Sequence, residues 1–88
     1  MMRKYNKKKF VSKTAIQVAR MIAQKGDESI LPALHQFEGS KTATLMRLHA
    51  VDYYYEGPEF FYDLWQNEHE YGIPISSEEL ELTGVEGR

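Results

Sequence analysis

Four stretches of this chain repeat apolar residues at the three- and four-residue spacing of a helix face, and an isolated glycine follows each one, at Gly26, Gly39, Gly57 and Gly72. In the first, Ala15, Val18, Ala19, Ile22 and Ala23 share a face, while Lys13, Gln17, Arg20 and Gln24 fall opposite. Ser12 and Thr14 compete as N-caps, Thr14 with Gln17 three residues on, and Lys25-Gly26 ends the segment, so the spacing predicts a helix over 13–25. Asp27 or Ser29 caps a second, short helix with Pro32 near its first turn and Ile30, Leu31, Leu34 and Phe37 as its apolar stripe. Ser40 or Thr42 opens a third, which runs to Glu56 because Gly57-Pro58 halts it. Its apolar residues form two arcs: Leu45, Leu48, Val51 and Tyr55 on one, Ala43, Met46, Ala50, Tyr53 and Tyr54 on the other.

Pro58 starts a fourth helix, with Phe60, Phe61, Leu64, Trp65 and Tyr71 inward and Glu59, Asp63 and Glu70 off that face. Ile73-Pro74-Ile75 reads as an extended connector. Ser76 and Glu79 form a capping box for a further short helix through Leu82, and a loose tail follows from Thr83. The expected fold is all-α: a compact bundle of about four short helices in a single domain over 1–88. Residues 1–11 form a basic arm, 12–72 the helical core and 73–88 an acidic appendage.

A chain of 88 residues builds one core, and 42% hydrophobic with 27% charged residues is an ordinary globular balance. No stretch approaches the roughly 18 uninterrupted apolar residues of a membrane span. The lysines near the N-terminus lack the apolar segment of a secretory signal. With no cysteine, disulfides, thiol catalysis and Cys-ligated zinc are excluded, and a cytoplasmic location is expected.

Charge is strongly segregated beneath a net value of −2. Arg3, Lys4, Lys7, Lys8, Lys9, Lys13, Arg20 and Lys25 precede any acid, whereas residues 52–88 carry Asp52, Glu56, Glu59, Asp63, Glu68, Glu70, Glu78, Glu79, Glu81 and Glu86 against Arg88 alone. Either the two ends neutralise each other within the monomer, or each presents a local potential to a partner.

Chemistry-bearing patterns are sparse. His35, His49 and His69 stand in no metal-binding spacing, and neighbours in Glu68-His69-Glu70 diverge by about 100° on a helix. His49 lies three residues before Asp52, a reachable pair with no nucleophile to serve. Asp52 falls on an apolar arc, where a carboxylate needs a cation or hydrogen-bond donors, and it is either a satisfied structural residue or a functional one. No Gly-rich phosphate loop is present, and a helix-turn-helix centred on Gly26 would carry Glu28, Gln36 and Glu38 where phosphate-binding cations belong. Neither an enzyme nor a cofactor, metal or small-molecule site is expected.

Two surfaces remain. Eight of the eleven aromatic residues lie between Tyr53 and Tyr71 among acids. Burying one arc of the third helix would leave Met46, Tyr53 or Tyr54 partly uncovered, and Tyr62 lies off the apolar face of the fourth. Tyr53, Tyr54 and Tyr62 with Glu59, Asp63 and Glu70 are therefore the candidate surface for a protein partner or a second copy. The basic end, Lys4, Lys7, Lys8, Lys9, Lys13 and Arg20, is the candidate for nucleic acid. In size, charge segregation and lack of a catalytic signature the chain is similar to the small accessory proteins of phages and mobile elements, many of which modulate host machinery. The expected function is a non-catalytic protein-binding regulator, an adaptor or inhibitor. The alternative is a DNA- or RNA-binding, antitoxin-like repressor.

Overall fold

A computed structural model describes residues 6–83, which form five helices: α1 (Lys7–Gly26), α2 (Ile30–Glu38), α3 (Lys41–Leu48), α4 (Pro58–Tyr71) and α5 (Ser77–Thr83). The fold is all-α, and no described residue lies in a strand. No helix of the described residues is long and apolar enough to cross a membrane.

Helix α1 begins well before the position its apolar spacing predicts. The cap is Asn6, whose Oδ1 accepts the Lys9 amide at 3.0 Å, so Ser12 and Thr14 lie inside the helix and Thr14 is buried. Lysine is a good helix former, and Phe10 and Val11 continue the buried stripe backward: Phe10/Val11, Thr14/Ala15, Val18/Ala19 and Ile22/Ala23 repeat every four residues. Lys7, Lys8 and Lys9, expected in a basic arm, therefore occupy the first turn of a 20-residue helix. The other end also shifts by one residue, because Asp27 rather than Gly26 takes the left-handed conformation, at φ 54°.

Helix α2 packs on α1 through Ala33 and Phe37, with Leu34 partly covered. Ile30 and Leu31, predicted inward, are exposed. The small Ala33 allows the close approach of α1, and this rotates the predicted stripe outward.

Helix α3 stops at Leu48, whereas the apolar pattern continues to Glu56. From His49 the chain turns on short bonds, Asp52 amide to His49 carbonyl, Tyr53 to Ala50 and Glu56 to Tyr53. The run Val51, Tyr53, Tyr54, Tyr55 is β-branched and aromatic, which weakens helix. Unwinding also lets Ala50 remain buried and Tyr53 half-buried without requiring the opposite arc to be covered.

Helix α4 lies against both α1 and α3 and supplies Phe61 and Leu64 to the core beside Val18, Phe37 and Met46. Gly72, at φ 85°, ends it. The C-terminal segment is more than an appendage, since α5 buries Leu80 at 2% exposure. Ser76 Oγ accepts the Glu79 amide at 3.1 Å, as the capping box predicts.

Candidate interaction surfaces

The polar residues that stood out in the sequence mostly hold helices together. Glu68 reaches from α4 to the start of α3: its carboxylate accepts the Lys41 amide at 2.9 Å, the Thr42 amide at 2.9 Å and the Thr42 hydroxyl at 2.8 Å. These are orphan donors of a helix start, and a carboxylate there also answers the positive end of the helix dipole. Partial burial pushes the Glu68 carboxyl up, but the bonds from Lys41 and Thr42, with His69 nearby, outweigh it and hold the group below the ordinary carboxylate range. Lys41 Nζ completes the clamp by donating to the Gly72 carbonyl at 2.9 Å. Nothing in the spacing of Glu68 signals this role, because its partners are 26 and 27 residues away in sequence.

Asp63 acts similarly one layer on. Expected as an acid at the rim of a docking patch, it accepts the Ser77 amide at 2.8 Å and the Ser77 hydroxyl at 2.7 Å, fastening α5 to α4. Asn67, buried in the same helix, donates to the Ile75 carbonyl at 2.7 Å and pins the connector. Asp52, expected on a buried arc, is exposed and lies 3.7 Å from the His49 imidazole. The His69 ring packs tilted against Trp65 with centroids 4.1 Å apart, and its Nδ1 is 3.2 Å from the Trp65 carbonyl. No group of three or more His, Cys, Asp or Glu among the described residues could hold a metal ion.

The predicted aromatic surface divides. Tyr62 is 7% exposed and stacks on Trp65 at 6.1 Å, and burial pushes its phenol pKa up. It is a core residue, not an anchor, because α4 is covered over a wider arc than its apolar stripe alone indicates. Tyr53 is half-buried against Phe60 and Phe61, at 5.4 and 5.8 Å. Tyr54 keeps an exposed edge while packing on Phe10 at 6.0 Å. Glu59 and Glu70 are exposed, as expected.

Of the three residues expected to be partly uncovered, Met46 is 0% exposed, Tyr53 is half-buried and Tyr54 is exposed, and the most exposed apolar residues belong to the other arc: Leu48 at 72%, Val51 at 70% and Tyr55 at 89%. With Tyr54 they make 48–55 a segment rich in exposed apolar side chains, with the exposed acid Asp52 within it and Glu56 directly after it. The two-arc pattern was the signal for it, but not for which arc.

The basic residues of α1 fall into two groups. Lys9, Lys13 and Arg20 are exposed opposite the buried stripe, with Ile16 42% exposed among them. Lys7 and Lys8 instead line an open groove of about 300 Å³ together with Val11, Ser12 and Arg47 from α3. Arg47 was not among the predicted basic residues, since only the packing of α3 beside α1 brings it there. Lys4 lies outside the described residues. Among the described residues no Lys or Arg forms an ion pair with Asp or Glu, so the segregated charge is not cancelled by direct pairing.

No family model, curated protein or solved structure matches the chain.

Proposed function

We propose that this protein is a non-catalytic helical binding module that acts as an adaptor or inhibitor of a protein partner, and that it docks through the segment 48–55. The observation that carries this reading is the exposure of Leu48, Val51 and Tyr55, three large side chains within eight residues. Exposed apolar side chains grouped in this way are what protein interfaces bury, with aromatic residues as anchors. Tyr54 is held from behind by Phe10, and Tyr55 sits edge-on to it at 5.5 Å. This limits the side-chain freedom that binding would otherwise remove. Asp52, Glu56 and Glu59 give the surroundings a negative charge, which favours a partner with apolar residues at the centre and cations at the rim. Nothing in this surface resembles a reaction centre, and the proposed role is recognition.

The test compares wild type with a Leu48→Ser/Tyr55→Ser variant as bait in the native cell, read by quantitative mass spectrometry beside a sedimentation measurement of the free protein. A cationic protein captured by wild type and lost from the variant supports the reading. Equal capture by both removes segment 48–55 from the function. Sedimentation as a dimer that the variant dissolves would assign the patch to a second copy instead.

A further inference from the structure

We propose that the basic residues of α1 bind the phosphate backbone of a nucleic acid, with one phosphate run entering the groove between Lys7, Lys8 and Arg47 and continuing along Lys9, Lys13 and Arg20. Lys7, Lys8, Val11, Ser12 and Arg47 line the groove, whose surface is mostly apolar, so three cationic side chains border it. Ser12 at the groove lies three residues from Lys9, a spacing that makes the two neighbours on the helix surface, and Lys9 begins the outer stripe. Lys9 to Arg20 spans eleven residues of helix, about 16 Å. A single phosphate would need only the groove, whereas an array this long fits a polymer that repeats its charge.

The placement of the lysines supports a ligand on physical grounds. Lys7, Lys8 and Lys9 stand in the first turn of α1 with no acid beside them. That is the positive end of the helix dipole, where cations destabilise and anions are favoured. The side-chain cap of Asn6 serves Lys9, and the amides of Lys7 and Lys8 have no hydrogen-bond partner among the described residues. A phosphate seated there meets amide donors, the dipole and ammonium groups together. Half-buried Gln17 and exposed Gln24, beside Arg20 on α1, carry no charge opposed to such a ligand, and Ile16 offers apolar contact to sugars or bases. The site adjoins segment 48–55 through Arg47 and the Phe10–Tyr54 contact but shares no residue with it, so variants of each test one reading without altering the residues of the other.

The experiment measures anisotropy of labelled duplex DNA and single-stranded RNA, each of about twenty nucleotides, and of a polyglutamate peptide of similar charge, with the full chain at roughly 50 mM salt. Binding to at least one nucleic acid, tighter than to polyglutamate and weakening steeply with salt, is expected; the two nucleic-acid arms identify which form is preferred. A Lys7→Gln/Lys8→Gln/Arg47→Gln variant should lose roughly tenfold or more in affinity and flatten the logarithmic salt slope by about 3. A Lys7→Glu/Lys8→Glu variant should bind no nucleic acid while melting at a higher temperature, which separates lost contacts from lost fold. If that variant melts lower, the outer-stripe variant Lys9→Gln/Lys13→Gln/Arg20→Gln decides, and its unchanged affinity and slope overturn the proposal. So does the absence of binding by wild type, equal binding to polyglutamate, or retention of affinity by the groove variant.

Discussion

At Asp27 the backbone adopts φ 54° and ψ 47°, a conformation that disfavours residues with a Cβ and suits glycine. Aspartate tolerates it better than most residues, which is why Gly26 could precede the turn without making it. Asp27→Gly is expected to stabilise the fold by about 0.5 kcal/mol, the relief of strain being partly offset by the greater freedom of glycine in the unfolded chain. Denaturant titration checks this, and a loss of stability would mean that the aspartate side chain contributes more than its backbone strain costs. Tyr62 gives the opposite kind of residue-scale prediction. Buried at 7% and stacked on Trp65, it should cost roughly 3 kcal/mol when cut to alanine, whereas exposed Tyr55→Ala should change stability by less than about 0.5 kcal/mol. Thermal melts of the two variants side by side test the assignment of one ring to the core and the other to a partner. Position on a helical wheel separates Tyr62 from the apolar stripe of α4, but burial depends on what packs beside the stripe, and a wheel does not contain that.

Individual helices here are short, and three of them depend on side chains from another element or from the flanking chain to start. Helix α3 has eight residues, below the length at which an isolated helix persists in water, and its first amides are held by Glu68 of α4. Glu68→Gln should destabilise by about 1 to 2 kcal/mol, since a charged acceptor of three bonds is replaced by a neutral one. The same bonds dictate a pH response. The folded-state pKa of Glu68 is lowered, so its contribution is fully present above the ordinary carboxylate range and is lost as pH falls through the folded value. The stability gap between wild type and Glu68→Gln should therefore close on acidification. A gap that stays constant from neutral to strongly acidic pH would mean that packing, not ionisation, makes the difference. Helix α5, of seven residues, has the equivalent tie in Asp63. Asp63→Ala should release α5 from α4, seen as faster amide exchange at Leu80 with little change in α1. Protection at Leu80 equal to that of wild type would show that its own burial suffices. Both capping carboxylates look like surface acids in the sequence, because the donors they serve become neighbours only when α4 crosses the starts of α3 and α5.

Across the described residues, α1 to α4 bury one continuous core, α5 packs on α4, and two unlike surfaces remain, an apolar segment with acidic neighbours at 48–55 and basic residues on α1. Double substitution Leu48→Ser/Tyr55→Ser should leave the melting temperature within a few degrees of wild type, because neither side chain contributes core contacts. A large drop would return these residues to the fold and withdraw them from recognition. What the sequence alone determined is local: the all-α class, the start at Pro58 and the stop at Gly72, the cap at Ser76, and the inward stripe of α1 from Ala15 to Ala23, with the caps of α2 and α3 narrowed to two residues each. Those follow from periodicity, proline, glycine and hydroxyl caps acting within a turn or two of chain. Tertiary structure alone decided the rest: that α3 unwinds at Leu48, that Met46 goes in while Leu48, Val51 and Tyr55 stay out, and that Arg47 joins Lys7 and Lys8. When a segment is apolar on two sides, its own sequence makes both orientations comparable in energy. The choice falls to the neighbour that fills the space, here α4 with Phe61 and Leu64, and that neighbour is distant in the chain.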